Sequence, residues 1–267
     1  MKGNLKKKKL FLLDMDGTIY IDNELFDASL DFLNFIKSIG GRYVFLTNNS
    51  SKSVVEYIDK INKLGIEGDK TNFFTSSQAT GLYLRENYRG KKIYVLGTES
   101  LKKEFKEYNI WLVDKYEEGI DCIVVGYDTE LSYQKLVDAS LLLTEGVDFI
   151  ATNPDYVCPV SFGYVPDCGS ICHMLYNATK RRPKFIGKPN PTMVDLAIGN
   201  SGFTKDETLV IGDRLYTDIA AGNAAQVTTA LVLSGETKRG DIPASSFKPD
   251  YVFKDIGEIY KNISIMD

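Results

Sequence analysis

Leu10-Phe11-Leu12-Leu13 is a run of four apolar residues that stops on an acid, Asp14. A strand with one face in water alternates apolar and polar residues. A run apolar at every position is buried on both faces, the habit of parallel strands covered by helices on each side. The pattern recurs along the chain. An amphipathic stretch through Leu30, Leu33, Phe35, Ile36 and Ile39 closes at Gly40-Gly41, and Tyr43-Val44-Phe45-Leu46 follows, ending at Thr47. Strand, helix and strand at this spacing form a βαβ unit with a right-handed crossover. Towards the C-terminus the scheme returns: Lys184-Phe185-Ile186, a helix from Pro191, Leu209-Val210-Ile211, a helix from Thr217, Ala230-Leu231-Val232-Leu233, and a last strand at Tyr251-Val252-Phe253 with a short helix after it.

The middle of the chain carries its own alternation. Ile93-Tyr94-Val95-Leu96, a helix near Ser100 to Tyr108, Cys122-Ile123-Val124-Val125, a helix from Ser132 to Leu143 and Phe149-Ile150-Ala151 succeed one another without a Pro/Ser-rich linker. A chain of 267 residues has room for one large or two small domains. The expected architecture is therefore α/β. A doubly wound, Rossmann-like parallel-sheet core would be built from residues 1–81 and 182–267, with a smaller α/β domain, residues 82–181, inserted through short hinges.

Composition removes several function classes. Hydrophobic residues at 43% with charged residues at 25% exclude a disordered chain. A net charge of −4 gives no global field for phosphate backbones, so no nucleic-acid partner is expected. No apolar run approaches the roughly 18 residues of a membrane helix. The basic N-terminus, Met1-Lys2-Gly3-Asn4-Leu5 and then Lys6 to Lys9, is like a signal-peptide n-region, but Asp14 and Asp16 interrupt the apolar segment that follows. The lysines read as a solvated tail leading into a strand, and the protein as soluble and cytoplasmic. Four cysteines, Cys122, Cys158, Cys168 and Cys172, give no disulfide framework in a chain this long. Three of them lie near the single histidine, His173, but without zinc-knuckle spacing, so buried thiols are expected.

The chemistry sits where strands end. In an open α/β sheet the ligand crevice lies beyond the carboxyl ends of the strands. Asp14-Met15-Asp16-Gly17-Thr18 ends the first strand and places Asp14, and Asp16 two residues on, at that edge. Alone, the segment could equally be an Asx-type turn. Thr47-Asn48-Asn49-Ser50 ends the second strand with short hydrogen-bonding groups at a helix start, a cradle for an anion or a plain N-cap. Gly187-Lys188-Pro189-Asn190-Pro191 adds a cation, and Gly212-Asp213-Arg214-Leu215-Tyr216-Thr217-Asp218 two further carboxylates. Clustered carboxylates repel unless a cation neutralises them, and a set of oxygen ligands without local His or Cys suits Mg²⁺. Lys188 with Thr47 and Asn48 would complete an electrophilic cup for a phosphoryl group.

Asp14-x-Asp16-Gly-Thr, Thr47-Asn48-Asn49, Gly-Lys188-Pro and Gly-Asp213-Arg-x-x-Thr-Asp218, in that order, resemble the four motifs of the haloacid dehalogenase (HAD) superfamily phosphatases. The long segment between Thr47 and Lys188 resembles the branch with a cap inserted between the second and third motifs. Gly-Lys-Pro-x-Pro and Ala151-Thr152-Asn153-Pro154-Asp155 narrow it to the NagD-like, 4-nitrophenyl phosphatase-like class IIA group. The resemblance implies hydrolysis of small phosphomonoesters, such as sugar phosphates, nucleoside monophosphates and 4-nitrophenyl phosphate. Asp14 would attack phosphorus to form an aspartyl-phosphate, and Asp16 would protonate the leaving oxygen and later deprotonate water. Mg²⁺ would be held by Asp14, the Asp16 backbone carbonyl and Asp213, with Asp218 acting through water or by orienting its neighbours. Thr47, Asn48, Asn49, Asp16 and Lys188 would bind the substrate. Dehalogenase members lack an acid at the position of Asp16, so its presence favours phosphomonoesters.

The cap of such enzymes reads the leaving group, and Tyr156 to Val160 and Tyr164 to Gly169 are the segments expected to do so. In the related vitamin B6 phosphate phosphatases a His precedes the proline of the first segment; Cys158 before Pro159 speaks against pyridoxal phosphate here. Relatives that pair through their caps imply a homodimer as one assembly. The competing readings are a phospho-accepting regulatory domain with slow Asp dephosphorylation, an idle binding module on the same fold, and a phosphomutase. The first would be about half this length and leave Asp16 without a task.

Overall fold

The computed structural model describes residues 4–160 and 162–264. In chain order it has β1 (Leu10–Leu13), β2 (Tyr20–Ile21), β3 (Glu24–Leu25), α1 (Ser29–Ser38), β4 (Arg42–Thr47), α2 (Val54–Lys63) and β5 (Phe73–Thr75). There follow α3 (Ser76–Asn87), β6 (Lys92–Leu96), α4 (Glu99–Glu107), β7 (Trp111–Val113), β8 (Cys122–Val125), α5 (Tyr133–Glu145), β9 (Asp148–Ala151), β10 (Val157–Val160), β11 (Gly163–Pro166), α6 (Cys168–Thr179) and β12 (Lys184–Phe185). The chain closes with α7 (Thr192–Gly199), β13 (Thr208–Gly212), α8 (Ala220–Ala224), β14 (Thr228–Val232), β15 (Tyr251–Phe253) and α9 (Ile256–Ser264).

Two compact units result. The first comprises residues 1–47, 58–74 and 188–267, the second residues 48–57 and 75–187. These limits differ from divisions at 81/82, which would cut an element, and at 181/182, which would assign β12 to the first unit. Helix α3 is continuous across residue 81, and β12 is a strand of the second unit.

The first unit holds a six-stranded sheet in the order β15-β14-β13-β1-β4-β5, parallel from β15 through β4. From β1 the chain winds outward to β4 and β5, then resumes at β13 and winds the other way. The topological switch point therefore lies between β1 and β13, the place where such sheets open a ligand crevice. All four residues of β1 are fully buried, as the apolar run requires. Phe11 meets Phe32 of α1 edge to face, with centroids 5.6 Å apart.

The N-terminal lysines depart from expectation. Met1 to Gly3 lie outside the described residues, but Lys8 is buried, donating to the Asp206 carbonyl (2.7 Å) and to Thr228 Oγ1 (2.6 Å). Burial, the largest influence, lowers its pKa against the raising charges of Asp206 and Asp250. Lys9 Nζ donates to the Ile39 carbonyl at 2.6 Å. Lys8 and Lys9 are therefore tied down by partners remote in sequence, while Lys6 and Lys7 are exposed as expected of a solvated tail.

The second unit is built on a five-stranded parallel sheet in the order β12-β9-β8-β6-β7. The antiparallel hairpin β10–β11, between β9 and α6, carries both segments expected to read a leaving group, in part or whole. Lys184-Phe185 was expected in the first unit's sheet and instead pairs with Ile150-Ala151 of β9. A three-residue run with only two apolar residues does not encode which sheet it joins. Cys122, Cys168 and Cys172 are buried thiols in this unit, while His173 stacks with Tyr176 on its surface. Among the described residues no helix is long and apolar enough to cross a membrane.

Candidate active site

Asp14 and Asp213 leave the sheet side by side at the switch point. Leu13 pairs with Ile211, and the Asp14 amide still donates to the Ile211 carbonyl (2.8 Å), so the two acids follow neighbouring strands in near register. Beyond Asp213 the chain makes one π-helical turn, Leu215–Ile219, before α8. That turn brings Asp218 back over Gly212, whose missing side chain leaves the space: a Cβ there would collide with the Asp218 carboxylate. Asp218 Oδ2 accepts from the Arg214 amide at 3.2 Å.

Lys188 closes the group. Its buried ammonium donates to Asp14 Oδ1 (2.7 Å), Asp218 Oδ1 (2.6 Å) and the Leu46 carbonyl (2.9 Å). Burial alone would lower its pKa, but the charges of Asp14 and Asp218 outweigh burial and raise it, so Lys188 is a permanent cation here. It does not follow a strand of the catalytic sheet, as its motif suggested. It is the first residue of the first unit after β12 and Gly187.

Asp213 is fixed from the other side by the loop after β14, which no motif included. The Glu236 amide donates to Asp213 Oδ2 (2.6 Å), the Thr237 amide to its carbonyl (3.2 Å), and Ser234 Oγ to the Gly17 carbonyl (2.7 Å). Gly17 (φ +82°) and Gly235 let both backbones approach Asp213 closely; a Cβ on Gly17 would stand 2.7 Å from Asp213 Oδ2. The sequence signal was available in Leu233-Ser234-Gly235, a glycine loop at the same carboxyl edge as the other motifs.

Asp14, Asp213 and Asp218 each offer an oxygen within 4.8 Å of the others, the one such metal-ligating group among the described residues. Burial, followed by the charge of Asp218, pushes Asp213 up to about 7. Burial also raises Asp14 well above the carboxylate range; Lys188 opposes this, while Asp218 and Asp213 add to it. Three carboxylates against one ammonium leave the group short of two positive charges, the charge of one divalent cation. Asp213 Oδ1 is buried without a hydrogen-bond partner. An orphaned buried carboxylate oxygen in an oxygen-only donor set fits a hard divalent cation.

The remaining expected residues are placed as follows. Asp16 lies beside the group on the tight turn after β1, its side chain 45% exposed. Thr47, the last residue of β4, is buried next to the carbonyl that Lys188 engages. Asn48 and Asn49 belong to the second unit. There Asn48 Nδ2 donates to Asp155 Oδ2 (3.1 Å), and its carbonyl accepts from Ser76 Oγ (2.6 Å) and Asn153 Nδ2 (2.7 Å). Asn49 Oδ1 accepts from the amide (3.0 Å) and hydroxyl (2.7 Å) of Ser51. The structure thus gathers Asp14, Lys188, Asp213 and Asp218 directly.

Comparison with known proteins gives the family. Residues 11–111 match the family described as haloacid dehalogenase-like hydrolase, and residues 185–259 match a second HAD-hydrolase-like family. The chain is 32% identical over 259 residues to an acid sugar phosphatase of Staphylococcus saprophyticus, covering 97% of this chain and 99% of that protein. It superposes on a 4-nitrophenylphosphatase from Thermotoga maritima with a TM-score of 0.92 at 41% identity, over 97% of this chain and 99% of that one. A glycerol phosphate phosphatase from Mycobacterium tuberculosis, solved in complex with magnesium, gives 0.91 at 28% identity, over 98% of this chain and 79% of that one. NagD from Escherichia coli gives 0.86 at 30%, over 97% and 98%. With its four motifs and an inserted α/β unit, the chain belongs to the haloacid dehalogenase-like hydrolases, as a phosphatase of their NagD-like class IIA branch.

Proposed function

We propose that the protein is a Mg²⁺-dependent phosphatase of small phosphomonoesters that works through an aspartyl-phosphate on Asp14. The observation that carries this is the buried Asp14–Lys188–Asp218 chain beside Asp213, with one Asp213 oxygen left without a partner. Mg²⁺, held by Asp14, the Asp16 main-chain carbonyl and Asp213, with Asp218 acting through water or by orienting its neighbours, would supply positive charge to the phosphoryl oxygens. Lys188 holds Asp14 Oδ1, which orients the carboxylate and leaves Oδ2 to attack phosphorus. Asp16 gives its proton to the departing ester oxygen and then takes one from the water that hydrolyses the acyl-phosphate. Thr47, Asn48 and Asn49, with Lys188, bind the phosphoryl oxygens.

The second unit, centred on residues 82–181, acts as the substrate-selecting cap. Sugar phosphates, nucleoside monophosphates and 4-nitrophenyl phosphate are the substrate class, in keeping with the activities for which the relatives are named. The protein works in the cytoplasm, where its four thiols would stay reduced. It pairs as a homodimer through the cap, a reading supported by Tyr133, Val137 and Leu141, which expose an apolar stripe every fourth residue along α5.

The test is steady-state phosphate release from 4-nitrophenyl phosphate with Mg²⁺, with EDTA, and with Asp14→Asn. Multiple turnovers that vanish in both controls are expected. Stoichiometric labelling of Asp14 without turnover would replace the phosphatase with the phospho-accepting regulatory domain.

A further inference from the structure

Asp16 is gripped by two residues outside every motif. The turn after β1 folds back on itself: the Gly17 amide donates to the Tyr20 carbonyl (2.8 Å), and Asp16 and Tyr20 form an isolated bridge. Tyr20 is wholly buried, and its hydroxyl lies 3.4 Å from Asp16 Oδ2. From α2, Lys60 sets its ammonium 3.9 Å from the centroid of the Tyr20 ring and 3.6 Å from Asp16 Oδ1. Each carboxylate oxygen therefore faces a different partner, and the two partners hold one another through a cation–π contact.

An ion pair this exposed contributes little to stability, so its geometry calls for another account. General-acid catalysis requires the carboxyl to sit within hydrogen-bond reach of the leaving oxygen, and a displacement of about 1 Å can cost about a hundredfold in rate. A short side chain that is 45% exposed would otherwise spread over its rotamers. We propose that Lys60 and Tyr20 are positioning residues that hold the Asp16 carboxyl at the leaving-group oxygen, an inference that rests on the phosphatase reading above. As the bond from Asp14 to phosphorus forms and the ester P–O bond breaks, the Asp16 proton passes to the ester oxygen. Asp16 is left as an anion that the Lys60 ammonium already faces.

Dependence on the leaving group follows. A 4-nitrophenolate departs without a proton, whereas the alkoxide of glycerol phosphate needs one. The experiment measures kcat/KM, which covers all steps through leaving-group departure, for both esters in the Mg²⁺-loaded enzyme. Lys60→Met and Tyr20→Phe are compared with wild type, with melting temperatures as a check on folding and Lys60→Arg as the conservative variant. Lys60→Met is expected to lose at least about tenfold more on glycerol phosphate than on 4-nitrophenyl phosphate, within the range a general acid contributes. Tyr20→Phe, which keeps the ring, should lose in the same sense by less, and Lys60→Arg should recover part of the loss. Equal losses on both esters, or none, would overturn the inference while leaving the phosphatase intact. Absence of turnover by the wild type would overturn the phosphatase reading and this inference together.

Discussion

Removal of the divalent cation should make the fold less stable as pH rises, the reverse of ordinary acid denaturation, and the effect should trace to Asp213. Its folded pKa of about 7 stands above an unfolded value of 3.8. Between those values the folded chain keeps a proton that the unfolded chain has lost, so each pH unit gained costs the fold about 1.4 kcal/mol. Stability from this group is complete well below pH 4 and is lost as pH climbs through about 7, flattening about a unit beyond that. From pH 5 to 7 the loss is about 2 kcal/mol, or about 4–8 °C in melting temperature for a chain of this size. Asp14, raised by the same burial and by the same neighbouring carboxylates, adds to the slope.

The assay is thermal melting of wild type and Asp213→Asn in EDTA from pH 5 to 8, read as the difference between them, which cancels groups elsewhere. Wild type should lose melting temperature relative to the variant as pH rises. Excess Mg²⁺ should restore more stability at pH 8 than at pH 5, because it binds the ionised trio; at a hundred times its Kd it adds about 2.7 kcal/mol. A wild-type minus variant difference that does not change with pH, or a Mg²⁺ effect larger at pH 5, would refute the account of the acidic group as a charge deficit awaiting a dication.

Three further outcomes follow from the geometry. Gly235→Ala drives a methyl group into the Asp213 carboxylate, so Mg²⁺ affinity in a metal titration should fall by about tenfold or more, as for the loss of a supporting ligand contact. Lys188→Met leaves Asp14 and Asp218 without their cation; turnover should be lost and melting fall by about 6–20 °C, from a cost of about 3–5 kcal/mol. Phe11→Ala opens a cavity in the fully buried β1 against Phe32 and should cost about 3–5 kcal/mol in denaturant unfolding, with kcat/KM at low temperature far less affected than by Lys188→Met.

Much of this was readable in advance, for physical reasons that differ residue by residue. β1, β4, β13 and β14 announce themselves because parallel strands covered on both faces must be apolar throughout. The acids that follow β1 and β13 are visible because a charge at the end of such a strand has only the crevice to occupy. What escaped depends on partners that local sequence does not name. Lys184-Phe185 joined β9 in the second unit, since a strand so short carries no mark of its sheet. Lys8 looked like a tail residue and is buried by a carbonyl and a hydroxyl about two hundred residues away. Ser234 to Thr237 and Lys60 make main-chain contacts and side-chain contacts remote in sequence, neither of which leaves a composition signature.

The seams between the units have an implication for anyone recombining such chains. One crossing is the peptide Thr47–Asn48 and another is Gly187–Lys188. Gly187 presses so near Asn48 that a Cβ would stand 2.6 Å from its Oδ1. A graft of a foreign second unit would therefore have two of its splice points inside the second and third family motifs, directly after Thr47 at one and directly before Lys188 at the other. Because Asn48 and Gly187 both lie in the second unit, a graft carries that close approach with it intact, and the residues it has to match in its host are Thr47 and Lys188.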